Sequence, residues 1–422
     1  MPEPMLSKLA WPLAPGPNHL IPRWVVLRGL GLIYFSAFYS CAFQIQGLIG
    51  PNGILPVSNY LQELAQHFSG FQLYWYAPTL LWFAHGARAL TALWVVGMAA
   101  SLLLVLNIWP RGMLAICFAA FLSFITAAQD FSSYQSDGML LEAGFIALFF
   151  APPGFRPGLG AARPPSRLSY FLLQWEWFRI YFESGLVKLL SGDPEWRHLT
   201  AMDEYYQNGP LPTWIGWYVE RLPHWFHAAT AGGTLALELI LVGMMFLPRR
   251  WRIVLFCIVT PWEMGIILTA NYALLNYLVL LLGVLLLDDR LLAPLVEKLP
   301  VIGKKTGVPI ETIGARDSQS PSAASLPTEE ADSGNWLARV RPPLRTAVRV
   351  AEGFFLGWIF YATTALLIAI LVPGNPPPMA PVTALEPSRI ANRFGLFAVM
   401  TRGRYEIEFQ GSRDGKTWTA YP

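Results

Sequence analysis

The stretch Arg179–Gln207, RIYFESGLVKLLSGDPEWRHLTAMDEYYQ, decides how the rest of the chain is read. It starts inside an apolar segment that nevertheless carries Arg179, Glu183 and Lys188, and runs without a break into an acidic, aromatic loop. An ionisable side chain at bilayer depth costs roughly 2.5–3.5 kcal/mol on insertion scales, so such groups face a protein interior or a water-filled cavity. The surrounding chain supplies that interior. Of its 422 residues 54% are hydrophobic and only 14% charged. Several stretches of about 18–22 residues lack charge almost completely, as bilayer-spanning helices do. The expected fold is an all-α polytopic membrane protein of about nine transmembrane helices, with a small extracytoplasmic β-rich segment at its C-terminal end.

The expected spans are 25–43, 87–108, 113–128, 139–151, 168–190, 228–247, 253–269, 272–287 and 350–372. Between the first two, FQLYWYAPTLLWF reads as an interfacial or re-entrant helix, because Trp and Tyr favour the headgroup level. Basic residues sort by side. Arg23, Arg111, Arg156, Arg163, Arg249, Arg250 and Arg290 fall on one face, and Asp193, Glu195, Asp203, Glu204 and Glu220 dominate the short loops of the other. The positive-inside rule then places the N-terminus in the cytoplasm and the C-terminus outside it. The organisation that follows is a cytoplasmic tail (1–23), a helical core (24–290) with an extracytoplasmic loop (191–227), a cytoplasmic linker (291–349), a last span (350–372) and an extracytoplasmic β-rich segment (373–422). The Pro-rich tail lacks the compact apolar region and cleavage site of a signal peptide. The linker is polar and without apolar period over 300–335. In the final segment Tyr405, Ile407 and Phe409 alternate with Glu406, Glu408 and Gln410, and Asp414-Gly415 signals a hairpin turn. A lone hairpin is marginal in water, so it is expected to pack on the acidic loop or to lack further strands.

Several groups are candidates for chemistry. Glu176, Arg179 and Glu183 share a helix face at spacings of three and four and can pair. Tyr181, Ser184 and Lys188 share another. Lys188 lies near the outer end of its span; it either snorkels to the headgroups or is a desolvated amine, the one candidate catalytic base. Asp130, Asp137 and Glu142 surround a polar break between spans and either line a cavity with Lys188 or Arg179 or satisfy helix ends. Glu238 and Glu263 are intramembrane carboxylates without a partner in sequence, and pairing with Arg179 is one arrangement open to them. His224 and His227, three apart, admit a metal only with a third ligand, and His198 is the nearest candidate; no metal is expected. Cys41, Cys117 and Cys257 lie far apart in apolar stretches and read as buried hydrophobes. No P-loop, GxSxG, HExxH or dinucleotide fingerprint occurs, and the scattered arginines form no nucleic-acid stripe.

Several blocks together resemble the lipase maturation factor family of multipass membrane proteins: LRGLGLIYFSAF with GLIGPNGILP, AAQDFSSYQSDGMLLEAGFIALFFAP, FRIYFESGLVKLLSGDPEWRHLTAM, YYQNGPLPTWIGWY with LPHWFH, ILTANYALLNYLVLLLGVLLLDD, and NRFGLFAVMTRGRYEIEFQGSRDGKTW. The family usually has Gly where Ala270 stands and Phe where Leu274 and Leu275 stand, and its C-terminal domain continues beyond Pro422. The resemblance implies a factor that helps secreted lipases reach an active fold, in the endoplasmic-reticulum membrane of animals; the arginine-rich, sequon-free chain looks more like a bacterial, inner-membrane relative. It also implies a client-facing surface on 191–227 and after Asn375, and with it Asp193, Trp196, Arg197, Tyr205, Tyr206, Trp214 and Trp418. YFESGLVKL is more distantly similar to vitamin K-dependent γ-glutamyl carboxylase, in which the lysine matching Lys188 acts as base. The partners expected are membrane lipid and a secreted, lipase-like client, and no nucleic acid. No cofactor is expected; the alternative is an intramembrane enzyme or a lipid- or quinone-binding protein built on Lys188.

Overall fold

Without a hydrophobic drive between helices inside a bilayer, packing rests on close approach at small residues and on hydrogen bonds between elements. The computed structural model describes residues 19–132, 134–209, 213–297, 336–403 and 407–421. The first half comprises α1 (Leu20–Ile49), α2 (Val57–His67), α3 (Phe71–Tyr76), α4 (Ala87–Val105), α5 (Pro110–Ala127), α6 (Gln135–Phe150) and α7 (Arg167–Leu190). Three short helices follow, α8 (Pro194–Arg197), α9 (Ala201–Asn208) and α10 (Trp214–Glu220), and then α11 (His224–Leu239), α12 (Arg249–Thr269), α13 (Leu274–Gly283) and α14 (Asp289–Glu297). The last helices are α15 (Trp336–Leu371) and α16 (Ala380–Thr383).

Six of the described helical segments are long and apolar enough to cross a membrane: α1, α4, α5, His224–Phe246, α12 and Ala347–Leu371. The other three expected spans are helices that fall short by length or by charge. α6 has 16 residues, Leu274–Leu286 is shorter still, and α7 carries Glu176, Arg179, Glu183 and Lys188. α7 packs against α6, α11, α13 and α15 and so has no lipid-like surroundings to satisfy.

Glycines set the helix spacing. A Cβ on Gly97 of α4 would lie 2.6 Å from the Phe38 ring of α1. One on Gly185 of α7 would lie 2.9 Å from Cβ of Glu238 on α11. Phe38 in turn meets Phe121 edge-on, and Tyr34 donates to the Leu140 carbonyl (3.2 Å). One end of the bundle is tied by polar bonds. Arg23 donates to the carbonyls of Leu159 (2.7 Å), Gly160 (2.9 Å) and Arg163 (2.8 Å). Asp289 accepts from the amides of Leu20 (2.9 Å) and Ile21 (2.7 Å), and Arg249 pairs with Asp288.

Several boundaries differ from the sequence reading. α11 starts at His224, within the expected loop, and ends in a 3₁₀ turn (Leu241–Phe246). Both ends of the expected linker are helical, as α14 and as the start of α15; its middle, like most of the 1–23 tail, lies outside the described residues. The FQLYWY segment is the short helix α3, whose Phe71, Tyr74 and Tyr76 are exposed. The β segment is a single antiparallel pair, β1 (Gln410–Gly411) with β2 (Thr419–Ala420), around a turn in which Asp414 accepts from the Lys416 and Thr417 amides. Gly415 adopts φ +67° there, open to glycine at no cost. Tyr405 and Glu406 lie outside the described residues. Ile407 and Phe409 are exposed; among the described residues no second layer covers this pair.

Candidate functional site

α7 carries two polar clusters on different faces. In the first, the fully buried Arg179 guanidinium pairs with Glu142 of α6 and, at 3.4 Å, with Glu183. Its Nη1 also donates to the Asn392 carbonyl (2.8 Å). Glu142 accepts from the Asn392 amide (2.9 Å), and Glu183 from that of Phe394 (2.7 Å). The Phe394 ring lies 4.9 Å from the guanidinium carbon, within cation–π range. The C-terminal segment thus threads back over α6 and α7 and supplies backbone groups to their charges. Glu176, buried in the same row, makes no hydrogen bond to Arg179 among the described residues. Of the other acids expected in this network, Asp130 is exposed, Asp137 is half-buried at the start of α6 and bonded to none of these groups, and Glu238 and Glu263 lie in the second cluster, away from Arg179.

The second cluster borders a cavity of about 380 Å³. Tyr181, Ser184 and Lys188 of α7 form one wall, Thr230, Thr234 and Glu238 of α11 a second, and Pro261, Glu263 and Gly265 of α12 a third. Asn276 and Val279 of α13 close the bottom, and Trp196, Tyr205, Tyr206 and Phe397 cover the outer end. Lys188 does not snorkel to the headgroups. It is buried, donates to both oxygens of Glu238 (2.7 and 2.9 Å), and lies 5.1 Å from the Trp196 ring. Glu263 accepts from the Tyr181 hydroxyl (2.6 Å) and from Asn276 Nδ2 (3.2 Å). The Lys188–Glu238 pair leaves no spare cation at Glu263. Sequence reasoning missed Asn276, which lies in a plain apolar run and gave no signal beyond being the one amide in it.

Over the cavity, the described residues of 191–227 and 392–401 form a cap. Asp193 caps α8 by accepting from the Glu195 amide (3.1 Å), with Pro194 at the first helical position, and also accepts from the Met400 amide (2.6 Å). Trp196 donates to the Phe397 carbonyl (2.9 Å), and Asn208 to that of Thr401 (2.9 Å). Trp196, Tyr206 and Asp193 are buried, so three residues expected on a client-facing surface are interior to the cap. Tyr205 is half-buried. Arg197, Trp214 and Trp418 are exposed, with Trp217, Tyr218 and Trp225 beside Trp214 in sequence.

Asp203 joins the two histidines. Its oxygens lie 2.8 Å from Nδ1 of His224 and 2.8 Å from Nδ1 of His227, while His227 Nε2 faces the Val219 carbonyl at 3.1 Å. Asp203 and the Val219 carbonyl thus hold the His227 ring from its two nitrogens. His198 is exposed, and no group of three or more metal-binding side chains exists among the described residues.

These features define an integral, multipass membrane protein with buried ion pairs and a folded cap at one end of the bundle. Residues 21–294 match the family described as the lipase maturation factor transmembrane domain. The chain is 29% identical over 401 residues to lipase maturation factor 1 of Bos taurus, covering 93% of this chain and 67% of that protein. It is 32% identical over 479 residues to lipase maturation factor 2 of Rattus norvegicus (94% and 67% covered) and 31% identical over 483 to that of Homo sapiens (94% and 67%). No solved structure matches. The chain belongs to the lipase maturation factor family.

Proposed function

We propose that the protein is a membrane maturation factor that assists the folding of secreted, lipase-like clients and presents its cap to them. The observation that carries this reading is the match to lipase maturation factors over nearly the whole chain. The cap supports it: two segments far apart in sequence are hydrogen-bonded into one surface that leaves Trp214, Trp217 and Tyr218 exposed. Exposed aromatics of this kind suit transient contact with incompletely folded apolar segments. The arrangement we infer has nine spans, the N-terminus in the cytoplasm and the cap outside it, in a bacterial inner membrane by composition. The arginine-tied end of the bundle, opposite the acidic cap, supports that orientation. Membrane lipid and the client are the partners, and the reading requires no cofactor. An enzyme using Lys188 as base would first have to free it from Glu238.

Co-expression with a secreted lipase tests the reading. Trp214→Ser with Trp217→Ser is expected to lower secreted lipase activity severalfold at unchanged membrane-protein level. Unchanged lipase output from that variant, and from a strain lacking the protein, sinks it.

A further inference from the structure

The cavity has features that client folding does not use. Asn276 is only 4% exposed; its Nδ2 donates to Glu263, but its Oδ1 has no hydrogen-bond partner among the described residues. A buried acceptor left unpaired keeps its full desolvation penalty. Among the described residues Glu263 is held only by neutral donors and has lone pairs to spare. Lys188, with two N–H groups on Glu238, keeps a third. The polar corner therefore offers acceptors and one donor, with no unneutralised positive charge for an anionic head. A hydroxyl group, which both donates and accepts, is its complement.

The mouth of the cavity points to where such a ligand would come from. Pro261 and Gly265, one turn apart on α12, line the cavity and are exposed. Most of α12 faces away from the rest of the protein, and a Cβ added to Gly265 meets nothing within 4 Å. The cavity thus opens sideways within a membrane-spanning helix, and its remaining walls are mainly aliphatic and aromatic. Its volume of about 380 Å³ falls in the range of small-molecule sites.

We propose that this cavity binds a neutral, hydroxyl-bearing lipid drawn from the bilayer through the Pro261–Gly265 opening, its hydroxyl on Asn276 and Glu263 and its chain along the apolar walls. The proposal goes beyond the maturation reading and stands whether or not a lipase is the client.

The test uses the purified full-length protein in detergent micelles and a monoacylglycerol carrying a photoreactive diazirine in its chain, with cross-linked peptides mapped by mass spectrometry. Labels are expected on 230–238 and 261–269. Excess unlabelled monoacylglycerol should remove them, whereas oleic acid and oleylamine should not. Asn276→Leu, which deletes the orphan acceptor, should cut labelling about tenfold, equivalent to ~1.4 kcal/mol. Gly265→Leu, which fills the mouth where a side chain meets no neighbour, should do the same in a protein that folds normally. Labelling spread over outer helix faces, or unchanged in Gly265→Leu, overturns the site. Competition by oleic acid or oleylamine as strong as by monoacylglycerol overturns the hydroxyl head.

Discussion

Lys188 Nζ lies 2.7 and 2.9 Å from the two carboxylate oxygens of Glu238, on a neighbouring helix and fifty positions later in the chain. Both groups are buried, so each is the other's replacement for water. Removing one partner of such a pair leaves an uncompensated charge and costs roughly 3–5 kcal/mol, whereas replacing both by apolar residues of similar size is often near neutral. Lys188→Met and Glu238→Leu are each expected to destabilise the protein by about that amount, with the double variant recovering most of the loss. Thermal unfolding of the purified protein in detergent measures it. Two losses that simply add would mean the pair is not coupled.

Gly185 permits that pair. A side chain there meets Cβ of Glu238 and the Leu239 side chain at 2.9 Å, so α7 and α11 would have to separate. Gly185→Val is expected to lower stability as much as Lys188→Met does, and adding Lys188→Met to it should cost little more. Gly243, where an added Cβ meets nothing, is the control position.

The C-terminal segment is part of the membrane core's charge balance. Asn392 and Phe394 give backbone groups to Arg179, Glu142 and Glu183. Ending the chain after Asn375 should therefore destabilise the helical bundle itself, because the Arg179 cluster loses the backbone groups of Asn392 and Phe394. Ending it after Gly403 keeps those groups, removes the exposed β pair and should leave stability unchanged. Protease resistance of the membrane-inserted protein separates the two truncations, and equal resistance would contradict the assignment.

Acid sensitivity is expected at the end of the bundle where α1 begins. The His19 ring stacks on Tyr170 with centroids 4.0 Å apart. Burial, then the positive charge of Arg252, push its imidazole down to about 4, against an opposing pull from Asp288. The unfolded chain titrates near 6.5, so between about pH 6.5 and 4 it binds more protons than the folded one. Stability from His19 is therefore present above pH 6.5 and lost as the pH falls through that window. Asp288 acts lower. Burial raises its carboxyl, but the hydrogen bonds from Arg249 and the Leu291 amide more than offset this and hold it below the usual range. Its contribution is lost only as the pH falls through the carboxylate range and beyond. His19→Phe keeps the stack and removes the titration, so the fall in melting temperature between pH 7 and 4 should shrink in that variant.

How much was legible in the sequence can be judged residue by residue. The periodicity and charge poverty of the apolar runs place helices at every expected span, since a backbone in hydrocarbon must satisfy itself locally. Arg179 and Glu183, four apart on one helix, pair as their spacing allows. Trp196 was not legible as interior, because its indole donates to the Phe397 carbonyl, 201 positions away; Tyr206 is buried in the same cluster. Lys188 near a span end looks free to reach the headgroups, and only the position of α11 supplies Glu238. Beyond Arg179, Glu142 and Glu183 take main-chain amides of Asn392 and Phe394, and a backbone donor carries no residue-type signal at all.

The sequence by itself determined the class: apolar runs of bilayer length, arginines gathered on one side, and charges inside α7 that demanded an interior. Tertiary structure alone decided how those charges divide, with Arg179 locked to the returning C-terminal segment and Lys188 and Glu263 bordering a cavity that opens beside Gly265. The reason is physical. Hydropathy and helix period are properties of neighbouring residues, whereas the partner of a buried charge depends on which helices touch and how closely, and that is set by small residues such as Gly185 at their crossings.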